Sequence, residues 1–289
     1  GRSYIIYGKS DFNTVNVGAL GTGATAKGVA ILADGSTMRS VGDKVVGAGD
    51  VNGDGFADSI QYDLSGKYVV AFGNSTGTNI SLSAAAGGTG GFTITAVGSN
   101  RSMSNAGDVN GDGLSDIVIG APELTTGGKT NGGKAYVVFG QSSGTAINVT
   151  ELNAGASSKG YVINGVGAVN NEKFGATVAG AGDVNGDGIA DVVIGDALGN
   201  AYVVFGKTSG TAVEASNLGA NGFKMAGNSS IATLSSQVSY AGDINGDGFN
   251  DLLISGYGSS TEPSARVMPS TRGLASSQAR SESEMRAAL

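Results

Sequence analysis

The chain has no cysteine and no histidine among its 289 residues. Without cysteine, no disulfide staples the fold, thiol nucleophiles are excluded, and the redox compartment leaves no mark. Without histidine, His-dependent triads and the usual zinc sites are excluded as well. Basic residues are also scarce. Seventeen Lys and Arg face 24 Asp and Glu, for a net charge of −7, and an acidic chain without basic clusters is a poor candidate for nucleic acid. No uninterrupted apolar stretch reaches the length of a membrane span. The chain opens on the strand-like Ser3-Tyr4-Ile5-Ile6-Tyr7 rather than on a secretory signal. That reads as a processed chain, an excised fragment, or export by a route without such a signal.

Glycine is abundant instead. Its 52 copies are far too many for helices and suit strands and turns. Many of them fall in a nine-residue acidic loop that occurs four times: DVNGDGFAD at 50–58, DVNGDGLSD at 108–116, DVNGDGIAD at 183–191 and DINGDGFND at 243–251. The loops start 58, 75 and 60 residues apart, so one unit is used four times. Oxygen donors at positions 1, 3, 5 and 9, with Gly at 6 for a sharp turn, suit a hard cation of calcium's size. Twelve of the 24 acidic residues sit in these loops, and four divalent ions would take the formal charge from −7 to +1. Without metal, three crowded carboxylates per loop should destabilise the fold. The Asp-x-Asn-Gly-Asp-Gly run by itself also makes a good turn, with Asp and Asn bonding their own backbone. That reading leaves unexplained why three mutually repelling Asp keep fixed positions in all four copies.

The segments between the loops repeat too. A small-residue strand ending in Ala-Gly precedes each loop (45–49, 103–107, 177–182, 238–242), and a β-rich run follows it (59–62, 117–119, 192–194, 252–254). Third strands are expected at 68–72, 136–139 and 202–205, and fourth strands at 92–94, 161–163 and 223–225. Four short antiparallel strands per repeat describe an all-β protein, a β-propeller of four-stranded blades. The last repeat supplies strands one and two, while residues 4–7 and 29–32 supply strands three and four without a preceding loop. Joined, they make a shared blade that closes a ring of four and removes exposed edges. A fragment of a larger, seven-bladed propeller is the alternative. The domain is expected to span 1–262, leaving 263–289 as an atypical tail.

The Asp-x-Asn-x-Asp-Gly-x-x-Asp loops, Phe174-Gly175 ahead of one loop and Gly120-Ala121-Pro122 behind another resemble FG-GAP repeats. These are the blade units of integrin α-subunit propellers, also found in bacterial surface proteins. The resemblance covers about residues 1–260, although the full FG and GAP signatures are not in every repeat. It implies that each loop joins two adjacent strands and binds calcium on one rim of the disc, about four ions per chain. Chemistry and resemblance together assign the ligands. They are Asp50, Asn52, Asp54 and Asp58; Asp108, Asn110, Asp112 and Asp116; Asp183, Asn185, Asp187 and Asp191; Asp243, Asn245, Asp247 and Asp251. Position 7 (Phe56, Leu114, Ile189, Phe249) should add a backbone carbonyl while its side chain turns inward to the core. An EF-hand is excluded, because loop position 12 is Gln61, Ile119, Ile194 and Ile254 instead of Glu. RTX repeats are excluded by the lack of a tandem nonapeptide array.

Little remains for catalysis, and no enzyme is expected. Glu123, Glu151, Glu172, Asp196 and Glu214 read as solvated surface charges, though a glycosidase-like pair among them stays open. Gly127-Gly128 and Gly132-Gly133 lack the Lys-Ser/Thr ending of a phosphate loop and read as hairpin turns. Tyr7, Phe72, Phe139 and Phe205, each just before Gly, should pack between blades. A ligand surface would come from the long loops 74–90, 122–133 and 141–158. In the tail, a third strand is due at 264–269, but the residues there do not fit it. A shifted reading frame would restore a strand, so the tail reads as a frameshift, an assembly error or an engineered end. Otherwise it is a flexible tail, helical near 281–289. The expected function is a calcium-stabilised, secreted or cell-surface recognition or adhesion module for a glycan or protein, able to self-associate in a surface assembly. The alternatives are an accessory substrate-positioning domain of a larger secreted enzyme or a spacer in a surface fibre.

Overall fold

The computed structural model describes residues 2–8, 10, 14–20, 27–34, 42–63, 66–95, 98, 102–155, 157–226, 233–257 and 265–268. Short Val-, Ile- and Tyr-rich runs bounded by Gly and Asn fold as strands throughout. Two strands, β1 (Arg2–Ile6) and β2 (Gly28–Leu32), come first and pair antiparallel. The first complete repeat holds β3 (Lys44–Gly49), β4 (Asp58–Asp63), β5 (Lys67–Ala71), the two-residue β6 (Ile80–Ser81), a short helix α1 (Leu82–Ala86) and β7 (Gly91–Thr95). The second holds β8 (Met103–Gly107), β9 (Asp116–Ala121), β10 (Lys134–Val138), β11 (Ile147–Asn148) and β12 (Gly160–Asn164). The third holds β13 (Thr177–Gly182), β14 (Asp191–Gly195), β15 (Asn200–Val204), β16 (Val213–Glu214) and β17 (Gly222–Ala226). The last holds β18 (Thr233–Gly242), β19 (Asp251–Tyr257) and β20 (Ala265–Met268).

In the three complete repeats the four main strands pair in order as antiparallel meanders, as expected for propeller blades. The two-residue strands behave differently. Each leaves its own blade and pairs in parallel with the outermost strand of the blade before it: β6 on β2, β11 on β7, β16 on β12. A helical turn follows each strap, and apolar residues within it (Leu82; Val149 and Leu152) or just ahead of it (Ala215 and Leu218, before Gly219–Asn221) are buried in the seam between the two blades. Burial of this kind stabilises by roughly 1.5–3 kcal/mol per large aliphatic side chain.

The cores are therefore arranged as a series of seams. One lies between β1–β2 and the first repeat, and the others lie between repeats one and two, two and three, and three and four. Pairing of the two chain ends is not seen among the described residues. Among the described residues β1 pairs only with β2, and β19 only with β18 and β20. The edge of β19 expected to receive residues 4–7 is taken by Ala265–Met268, so a strand does form where the sequence has one due. Residues 269–289, with the expected helical end, lie outside the described residues. Three of the four repeating aromatics pack as expected: Phe139 is buried, and Phe72 and Phe205 lie against the seams, while Tyr7 is exposed.

Gln61 breaks the pattern of its strand. It is fully buried, and neither side-chain atom has a hydrogen-bond partner. Ile119, Ile194 and Ile254 stand in its place in the other repeats. An unpaired buried amide costs about 1–3 kcal/mol. Gln61→Ile is therefore expected to raise the unfolding temperature, by roughly 2–4 °C per kcal/mol recovered. A lower midpoint in a thermal melt would show that the amide has an essential partner.

Candidate metal-binding rim

Each acidic loop starts from a bulge. Pairing slips by one residue just before Gly49, Gly107, Gly182 and Gly242, which take φ values of 79, 79, 68 and 76°. Glycine adopts this left-handed conformation without steric cost, and the bulge turns the strand into the loop. The first Asp then gathers the loop around its carboxylate. Asp50 accepts from Gly53 N (2.8 Å), Asp54 N (3.2 Å) and Gly55 N (2.8 Å). Asp108, Asp183 and Asp243 do the same. The Asn at position 3 accepts from the N–H of position 5 and donates its own amide to that residue's carboxylate, at 2.9, 2.8, 2.9 and 3.3 Å in the four loops. The Asp at position 5 in turn accepts from the N–H of position 7.

The ninth residue plays another part. Asp58 is buried and accepts from Val51 N at 2.8 Å and Gly73 N at 2.7 Å, tying the loop to the end of the third strand. Asp116 holds Val109 N and Gly140 N, Asp191 holds Val184 N and Gly206 N, and Asp251 accepts from Ile244 N. Burial pushes the carboxyl of Asp58 up to about 6 and those of Asp116 and Asp191 to about 7. The two backbone donors work against this shift, and the neighbouring loop Asp residues add to it.

The loops also grip one another along one rim. The N–H at position 8 donates to the position-1 carbonyl of the preceding loop: Ser115 to Asp50 (2.8 Å), Ala190 to Asp108 (2.9 Å) and Asn250 to Asp183 (2.9 Å). The position-7 side chain lies over the position-4 Gly of that same loop. A methyl added at Gly53 would meet Leu114 Cδ2 at 2.9 Å, and Gly186 is covered by the ring of Phe249. Position 7 thus reaches sideways to its neighbour instead of inward to the core, which corrects the expectation. Phe56, whose loop has no predecessor among the described residues, is 41% exposed.

The sixteen proposed side-chain donors therefore fall into four loops set in one row, with their oxygens engaged mainly by backbone N–H groups. Among the described residues no group of three or more acidic side chains forms a ready-made metal cage. Other expectations need correction. Glu172 and Asp196 are buried rather than solvated. Glu172 accepts from Ala168 N, and burial raises its pKa. Asp196 accepts from Leu198 N, Asn200 N and Nδ2, and Tyr202 Oη, so both carboxylates hold turns. Glu151 and Glu214 are exposed, bonded to Lys159 and Asn164, and Glu123 is exposed. The loops 74–90 and 141–158 carry the straps β6 and β11. Segment 122–133 contains a tight turn bridged between Thr126 and Lys129. Pairings of only two residues carry no sequence period, which is why the straps escape sequence reading.

The family model for the FG-GAP repeat matches residues 100–138, and that for the FG-GAP-like repeat matches 183–254. Integrin alpha-4 of Xenopus laevis is 30% identical over 175 residues, covering 57% of this chain and 15% of its own length. Integrin alpha pat-2 of Caenorhabditis elegans is 33% identical over 108 residues, 37% of this chain and 8% of its own. Phosphatidylinositol-glycan-specific phospholipase D of Mus musculus is 27% identical over 165 residues, 51% of this chain and 17% of its own. The chain thus spans less than a fifth of each of these relatives. Repeated loops, four-stranded meanders and matched repeats agree: the chain is an FG-GAP repeat protein, integrin α-like in its blades.

Proposed function

We propose that the chain is a calcium-stabilised extracellular recognition module, a disc of four blades that binds a glycan or protein ligand at one face. The observation carrying this reading is the row of four equivalent loops interlocked along one rim. Calcium would be held by the oxygens of Asp50, Asn52, Asp54 and Asp58, with the Phe56 carbonyl, and by their counterparts in the other three loops. The donor chemistry fits. Asp58 uses one hydrogen bond on each oxygen, and a carboxylate oxygen has a second lone pair to offer. Asp50 and Asp54 accept from N–H and amide groups of their own loop. A bound divalent ion would supply the positive charge that three adjacent carboxylates call for. Integrin α relatives support the adhesion reading and a secreted or cell-surface location. Among the described residues no helix is long and apolar enough to cross a membrane.

A second reading is favoured by the phospholipase D relatives: a non-catalytic domain positioning substrate for a larger secreted enzyme. Both are tested by screening the calcium-loaded chain against immobilised glycans and extracellular matrix proteins, with chelator as the control. Saturable binding that chelator abolishes is expected. If no ligand is captured while the chain hydrolyses a glycan or phosphodiester substrate by itself, the module reading fails.

A further inference from the structure

The strap follows a strict register. It begins nine residues after the third strand ends: Ala71 to Ile80, Val138 to Ile147, Val204 to Val213. The same count from Ile6, the end of β1, falls on Val15. There the sequence Val15-Asn16-Val17-Gly18-Ala19-Leu20 parallels Ile147-Asn148-Val149-Thr150-Glu151-Leu152. Its backbone is already set for the task. Asn16 has φ −85° and ψ 106° and caps a 3-10 turn over Val17–Ala19 by accepting from Gly18 N at 3.0 Å. Asn148, seated on β7, has φ −97° and ψ 116° and accepts from Thr150 N at 3.0 Å. Yet among the described residues Val15 and Asn16 pair with no strand, and Val17 is 45% exposed where Val149 is fully buried.

One outer strand lacks a strap. β2, β7 and β12 each carry one, but β17 pairs only with β15 among the described residues. Its Phe223 is 43% exposed, whereas Phe92 and Tyr161, at the same place in strapped blades, are fully buried. The sequence after β20 does not supply a strap, since the nine-residue count from Met268 reaches Ser277-Gln278. The half-blade that carries the free strap is open on the matching side. Tyr4 and Ile6 are 38% and 45% exposed, while their counterparts Tyr136, Val138, Tyr202 and Val204 are buried against the preceding blade. A methyl added at Gly8 would meet nothing within 4 Å, whereas at Gly140 and Gly206 it would strike the acidic loops.

We infer that the strap at 15–16 seats in parallel on Met225 and Ala226 of β17 in the same chain, with Val17 covering Phe223. This rests on the four-blade reading, because it brings β1 to the edge of β19 in exchange for β20. By the register of β15 on β14, Ser3 then lies opposite Ser255, Tyr4 opposite Ile254, and Ile6 opposite Leu252. The side chains favour β1 there. It offers Tyr-Ile-Ile-Tyr-Gly, matching the Tyr-Val-Val-Phe-Gly of β10 and β15, whereas β20 places Arg266 in the tyrosine position. Intramolecular seating is further favoured because a tethered strap acts at an effective concentration in the millimolar range.

The chain has no cysteine background, so paired substitutions report directly. In calcium and at micromolar protein, Asn16→Cys with Ala226→Cys is expected to oxidise to an intramolecular disulfide and run as a monomer. Leu32→Cys with Ser81→Cys, across a strap already seated, is the positive control. If the control closes while the 16/226 pair stays reduced, or closes only as a covalent dimer, the proposal is overturned. Ser3→Cys with Ser255→Cys separates the two levels. Closure of this pair alone leaves the four-blade ring and removes the strap, whereas failure of both pairs removes the ring as well.

Discussion

Excess chelator is expected to lower the thermal unfolding midpoint by about 20 °C or more relative to millimolar calcium, and metal analysis is expected to count about four ions per chain. The size follows from linkage: a site held at a hundred times its dissociation constant contributes about 2.7 kcal/mol. Four such sites act on a chain whose midpoint moves roughly 2–4 °C per kcal/mol. The pH dependence of the chelated protein should run opposite to that of most acidic proteins. Asp58, Asp116 and Asp191 have carboxyls raised from 3.8 to between about 6 and 7, so the metal-free folded state holds more protons than the unfolded chain across that window. Their contribution is fully present below about pH 3.8 and is lost as pH rises through 6 to 7. The chelated chain should thus melt higher at pH 5 than at pH 7.5, and added calcium should recover most at the higher pH. Equal midpoints with and without chelator at pH 7.5, with no metal bound, would leave the loops as turns only.

Asp191→Ala is expected to cost about 3 kcal/mol even in chelator, whereas Asp187→Ala costs stability only when calcium is present. The two residues share a loop but not a role. Asp191 is buried and receives Val184 N and Gly206 N, and removing it strands two donors inside the blade. Asp187 is exposed and accepts from Ile189 N and the Asn185 amide. Without metal, its loss relieves repulsion on Asp191. Urea unfolding of both variants, with and without calcium, checks the contrast. If Asp191→Ala unfolds like the parent in chelator, the ninth position is a ligand and nothing more.

These effects show what the sequence made legible. Asp and Gly at fixed loop positions announce both a turn and a set of hard donors, and the Tyr-Val-Val runs announce the blades. What the loops do to one another was hidden. Nothing in DVNGDGLSD tells that Leu114 covers Gly53 of another repeat, because that contact depends on how blades are angled. The straps were hidden for a different reason. Ile147 and Asn148 form a strand too short to alternate, and its meaning lies in the edge of β7, which is more than fifty residues away. Glu172 and Asp196 looked like surface charges because burial is set by the turns folded over them.

The direction of the straps has a consequence for the order in which the molecule is made. Each of the three straps seated in the structure comes from the later repeat and covers the strands before it. A ribosome emitting the chain therefore leaves each blade with a bare outer edge until its successor is half translated. At roughly 5–20 residues per second this lasts a few seconds, long enough for an open edge to meet another nascent chain. Maturation along β2, β7 and β12 is a relay in which each edge is finished by the repeat that follows.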